Sequence, residues 1–169
     1  MMLAAKVLAS IEERLAARAE SISRFAATGY SFEEWLNWEM LDALRDAGLD
    51  ARPKPQYKPL TGEALFGDFV VRDANGESVF VEVAIGTDST QTKWATKINR
   101  DAAKLARVLS PEMHTLQVLV ITSRDLSASG WAKFLTAIGW DTGQFHAREI
   151  LAKDGETRIH LRAWTDYRG

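Results

Sequence analysis

The sequence predicts an α/β domain built around a mixed sheet. Three observations carry this expectation. Amphipathic helical stretches fill most of the first fifty residues, two strands flank a turn at 67–86, and a nearly all-apolar run, LQVLVIT at 116–122, follows a third amphipathic helix. The order is helix, helix, extended segment, strand, strand, helix, strand, helix, then strands, the pattern of a sheet flanked by helices.

The first stretch, 2–27, repeats Leu3, Val7, Ile11, Leu15, Ile22 and Phe25 at three-, four- or seven-residue spacing, so it reads as one helix ended by Thr28-Gly29. A second helix opens at Ser31, where Ser31 and Glu34 form an S-x-x-E capping box, and closes at Gly48. Prolines 53, 55 and 59 rule out a helix in the next segment and suit an extended sheet edge. After the hairpin, Asp88 and Gln91 make a second box, D-x-x-Q, opening a helix to about Leu109. A short helix over 129–140 ends at Gly139, and a last hairpin turns at Asp154-Gly155.

With 169 residues and no repeat, one domain is expected over 1–169: an N-terminal amphipathic helix (1–29), a core (31–122), and a C-terminal helix and hairpin (123–169). A net charge of −2 gives no global basic field, so nucleic-acid binding would need a local patch. The absence of cysteine excludes disulfides, zinc–thiolate sites and cysteine nucleophiles, and fits a cytoplasmic protein. No stretch is long and apolar enough to span a bilayer, and no membrane role is expected. P-loop, G-x-S-x-G and G-x-G-x-x-G patterns are missing, and His114, His146 and His160 have no metal-ligand spacing.

Chemistry concentrates in GDFVVRDANGESVFVEVAIG. A two-residue type I′ turn at Asn75-Gly76 would send Asp68 and Glu82 to opposite faces. A type I turn over Asp73-Ala74-Asn75-Gly76, completed by a left-handed glycine, pairs Asp73 with Glu77 and sets Asp68 opposite Glu82. The second register is preferred, because it gathers Phe69, Val71, Val79, Val81, Val83 and Ile85 on one dry face. Two carboxylates directly opposed repel, and a divalent cation relieves that. The plainer alternative is a pair of acids at a solvent-facing strand end.

Glu39 falls inside the apolar stripe of the second helix, where a carboxylate needs a partner or a cation. Asp101 sits similarly beside Trp94, Ile98 and Leu105, as an ion-pair partner. Lys93, Lys97, Arg100, Lys104 and Arg107 follow one flank of the third helix, either as a solvated face or as a phosphate-binding strip. Trp38 lies off its helix's stripe and is free to stack on a base or a partner.

A helix with Glu39, an extended segment, Asp68, then Glu82-Val83-Ala84, a capped helix and an apolar strand resembles the PD-(D/E)XK nuclease superfamily. Its restriction-endonuclease-like fold has an αβββαβ core, here over 31–122, with an extra N-terminal helix. The resemblance implies a metal-dependent endonuclease acting on DNA, in restriction, repair or mobile-element biology. It implies magnesium or manganese on Asp68, Glu82 and Glu39, with Asp68 and Glu82 counted among the catalytic residues. The family's lysine would fall at position 84, which is Ala84, and Gly67 stands where a proline is usual. Lys97, or else Lys93, is expected to supply the charge from the next helix, with Lys54 and Lys58 as further options. Lys93, Lys97, Arg100 and Lys104 are the expected DNA contacts. Ala84 also supports the alternative of a non-catalytic nuclease-fold protein that binds DNA or a protein partner. The N-terminal helix is the expected surface for a homodimer or larger complex.

Overall fold

Five helices and a six-stranded mixed sheet make up the computed structural model, which describes residues 2–56, 66–89, 91–108, 113–139 and 146–165, with only the backbone at 91–93 and 129. The elements are α1 (Met2–Ala17), α2 (Ala19–Ala27), α3 (Glu33–Asp46), β1 (Asp50–Pro53), β2 (Phe69–Arg72), β3 (Ser78–Thr87), α4 (Gln91–Leu105), β4 (Met113–Ser123), α5 (Ser129–Ala137), β5 (His146–Leu151) and β6 (Arg158–Thr165). The sheet order is β1-β2-β3-β4-β6-β5; β3 and β4 are parallel across the α4 crossover and every other pair is antiparallel. Among the described residues no helix is long and apolar enough to cross a membrane.

The hairpin adopts the three-residue register. Asp73 N–H donates to the Glu77 carbonyl at 3.1 Å, Gly76 takes φ +84°, and Arg72 pairs with Ser78 and Phe69 with Val81. Ala74 also excludes a type I′ turn one residue earlier, which would force it to a positive φ. Asp73 strengthens the turn by accepting the Asn75 and Glu77 N–H groups, both at 2.9 Å.

Strand alternation then sorts the sheet into two unlike faces. One face carries Phe69, Val71, Val79, Val81, Val83, Ile85, Leu116, Val118, Val120, Ile159 and Leu161, buried under α1, α2 and α3 in a single apolar cluster. Each such side chain contributes roughly 1.5–3 kcal/mol by leaving water. The other face, under α4 and α5, holds two smaller clusters, one around Ala84, Ile98, Trp131 and Phe134 and one around Val70, Phe80 and Leu105.

Three expectations are corrected here. The predicted single helix over 2–27 is kinked at Arg18 (φ −104°, ψ 7°), although the bonds from Arg18 N–H to the Arg14 carbonyl and from Ile22 N–H to the Arg18 carbonyl continue through it. The Ser31–Glu34 capping box does not form: the N-cap is Phe32, whose ring is buried, and no side chain caps α3. The apolar stripe of α1 is not an open contact surface, because Leu3, Val7, Leu8, Ile11 and Leu15 are consumed by the chain's own core. At the other end of α3 the sequence reading holds. Gly48 is left-handed (φ +74°), and Leu49 N–H reaches the Leu44 carbonyl at 3.1 Å.

Candidate functional site

The site lies where β2 has ended and β3 runs on between α3 and α4. Past Phe69 the edge of β3 has lost its partner strand, and Asp68 takes over. Its Oδ2 accepts the Val83 N–H at 2.7 Å, and its Oδ1 receives a long contact (3.4 Å) from Asn37 Nδ2 of α3. The Val83 carbonyl accepts from Lys97 Nζ of α4 at 2.9 Å. One residue of β3 therefore joins Asp68 to Lys97 through its own peptide groups.

Lys97 sits among oxygens. Besides Val83 it meets Asp101 Oδ2 at 3.0 Å and Glu33 Oε1 at 3.4 Å, and it lies 5.7 Å from the centre of the Trp94 ring. Burial lowers the Lys97 pKa, but Glu33 and Asp101 outweigh burial and the net shift is upward, so the ammonium stays charged. Behind it, Asp101 Oδ1 meets Lys104 Nζ at 2.8 Å, and Lys104 meets Glu82 Oε1 at 2.7 Å. Burial lowers Lys104 too, and hydrogen bonds to Asp101 and Glu82 reverse it. Lys97–Asp101–Lys104–Glu82 is a continuous seam of alternating charge between α4 and β3, in which Asp101 is 1 % and Glu82 2 % exposed. Gln117 Nε2 ties the same helix to β4 through the Ile98 carbonyl at 2.7 Å.

These contacts sort the expected site residues. Asp68 and Lys97 converge. Glu82 is on the expected face, but it is buried and turned toward Lys104. Glu39 is not in the site; it accepts from Arg14 Nη1 and Arg18 Nε, both at 3.0 Å, on the opposite flank of α3. Burial raises its pKa, and the two arginines more than reverse that shift. The acid that α3 does present is Glu33, which sequence reasoning left off the apolar stripe. That stripe is centred on Leu36, Met40 and Leu44, so Glu39 and Glu33 flank it, facing α1 and α4 respectively. Which acid faces which way is set by Arg14 of α1 and Lys97 of α4, partners that tertiary packing brings in.

Of the expected DNA contacts, Lys97 and Lys104 point inward to carboxylates, Arg100 is exposed, and the Lys93 side chain lies outside the described residues, as does Lys58. Ala84 has a clear role. It is 1 % exposed and packs with Ile98 and Trp131, so an ammonium at position 84 would be trapped in an apolar cluster under α4. The histidines are dispersed: His114 meets Glu77, His146 meets Glu12, and His160 meets Glu149.

Among the described residues no group of three or more His, Cys, Asp or Glu side chains is placed to hold a metal ion, so the Asp68–Glu82–Glu39 set does not form. A smaller oxygen set fits a hard cation better. Glu33 Oε2 and Asn37 Oδ1 are both buried without a hydrogen-bond partner, one helical turn apart, beside the Asp68 carboxylate. Burial raises the Glu33 pKa, and the nearby Asp68 charge adds to it. Two carboxylates and an amide oxygen, with waters and a substrate phosphate, are within the usual complement for magnesium.

Comparison with models of known families, curated proteins and solved structures finds no match.

Proposed function

We propose that this chain is a nuclease-like protein of restriction-endonuclease type that hydrolyses phosphodiester bonds in DNA with magnesium or manganese. The observation that carries the reading is the reach of Lys97 from α4 to the Val83 carbonyl, beside Asp68. The charge missing at Ala84 has a substitute on the same length of β3. The order α3-β1-β2-β3-α4-β4 supports the same reading.

Asp68, Glu33 and Asn37 would hold the cation. When bound it would neutralise the scissile phosphate and acidify a water. In hydrolysis a water oxygen bonds to phosphorus, the P–O ester bond breaks, and the leaving oxygen takes a proton. The chain's own contribution is fixed charge. Val83 N–H and Asn37 hold Asp68 in one orientation, and Asp101 and Glu33 hold the Lys97 ammonium beside it. A cation fixed in this way stabilises negative charge that grows on the phosphoryl oxygens without reorganising during the step.

A non-catalytic protein that binds DNA or a protein partner is the second reading, favoured by the Lys104–Glu82 pair, which neutralises the acid expected to ligate metal. Plasmid nicking in magnesium or manganese separates the two. The wild type is expected to nick, with Asp68→Asn and Lys97→Met each slowed about 100- to 1,000-fold, the range for losing one preorganised electrostatic group. A wild type that leaves both plasmid and a single-stranded oligonucleotide intact in both metals, or a Lys97→Met variant that cuts at the wild-type rate, overturns the hydrolase reading.

A further inference from the structure

Trp38 and Lys54 form a second feature beside Asp68. Trp38 follows Asn37 on α3 and is 58 % exposed, although it is an indole one residue from a buried cluster of polar atoms. Lys54 is the one non-glycine among the described residues with a positive φ (+50°), and its N–H donates to the Asp68 carbonyl at 3.0 Å. Trp38, Lys54, Asn37 and Asp68 line a single cleft, with Pro53 and Phe69 as apolar neighbours and Glu34 as its other acid. Phe66, two residues before Asp68, is also 56 % exposed. A left-handed lysine is strained, and such outliers gather at ligand-binding positions.

From these neighbours we infer that the cleft takes an unpaired nucleotide, with its base on the Trp38 ring and its phosphate on Lys54, so that the strand cut at Asp68 is single-stranded or locally frayed. The inference rests on the nuclease reading and narrows its substrate. A duplex keeps its base faces stacked and offers an indole nothing but its backbone and edges; an unpaired base offers a π-face whatever its sequence. The phosphate grip available to a duplex is also thin. Net charge is −2, and Lys97 and Lys104 of the basic flank are turned to internal carboxylates. Stacking must therefore carry binding that a broad cationic surface would otherwise supply.

Fluorescence anisotropy of the full chain in EDTA, with a labelled twelve-nucleotide strand alone or in a blunt duplex, tests this without turnover. The single strand is expected to bind about tenfold or more tighter than the duplex. Trp38→Ala should weaken it about five- to a hundredfold while Trp38→Phe retains most of the affinity. Lys54→Ala should lower the slope of log K against log salt by about 0.7 for the single strand. Equal binding of both forms, no binding of either, or a Trp38→Ala variant as tight as wild type overturns the inference. Cleavage is not read here, so an inactive protein that keeps the Trp38-dependent preference refutes hydrolysis and leaves the unpaired-strand site standing. A nicking enzyme indifferent to Trp38 does the reverse.

Discussion

The two faces of the sheet are built on opposite principles. Under α1–α3 the contact is dry and continuous, one cluster from Leu3 to Ala163. Under α4 the apolar contact is broken into two clusters, and the gap holds Glu82, Asp101 and Lys104, with Lys97 at its outer end. Apolar faces tolerate volume-conserving change; a desolvated charge network tolerates the loss of a member poorly, because each deletion removes a compensating charge from its neighbours. A fold that needed only stability would have no reason to prefer the second arrangement. The seam meets Asp68 at the edge of β3 between α3 and α4, where Glu33 and Asn37 of α3 come together with Lys97 of α4.

The sharpest way to break this contrast is Asp101→Ala, which leaves Lys97 and Lys104 without their shared carboxylate. It should cost about 3–5 kcal/mol in urea unfolding, whereas Asp101→Leu, similar in size and also uncharged, should not recover the loss. On the dry face, Leu36→Ala should cost about 2–5 kcal/mol through transfer and cavity terms, with no change in the pH dependence of stability. The seam should impose such a dependence. Lys97 and Lys104 have raised pKa values in the folded state, so their stabilisation is complete below the ordinary lysine value of about 10.4 and is lost as pH rises through the folded values. Denaturation at pH 8 and pH 11 should show that alkaline loss in wild type and Leu36→Ala, and much less of it in Asp101→Ala. The smallest effect is expected for Glu39→Gln, whose partner Arg14 keeps Asp42 and Asp46 and whose partner Arg18 is half-exposed. About 1 kcal/mol or less should be lost, with no change in nicking.

What could be read before the structure follows from the range of the forces involved. The hairpin register was legible because it is local: Asp73 opens the turn, Gly76 takes a positive φ, and the face assignment of Glu82 and the valines follows by alternation, whereas the Asp68 side chain turns to the Val83 N–H and Asn37 of α3. Lys97 was legible because it borders the α4 stripe and so must face the sheet. Glu33 was not, because α3 carries apolar residues on more than one side and a modest rotation of the stripe exchanges Glu39 for Glu33. Only the positions of Arg14 and Lys97, brought in from α1 and α4, decide which acid goes where. The kink at Arg18 has neither proline nor glycine to announce it. The Asp88 box was read for its capping chemistry, but the Asp88 carboxylate accepts from Ser123 Oγ at 2.6 Å and Trp131 Nε1 at 2.8 Å, long-range partners that no local pattern names.

The central claim is that Asp68, with Glu33 rather than Glu39, forms a cation seat beside the Lys97 ammonium. Titration calorimetry with manganese on the wild type, Asp68→Ala, Glu33→Gln and Glu39→Gln tests it most directly. The expected result is one saturable site in wild type and in Glu39→Gln, weakened at least tenfold in Glu33→Gln and absent in Asp68→Ala. No uptake by wild type, or uptake that survives Asp68→Ala or is lost in Glu39→Gln but kept in Glu33→Gln, would contradict it.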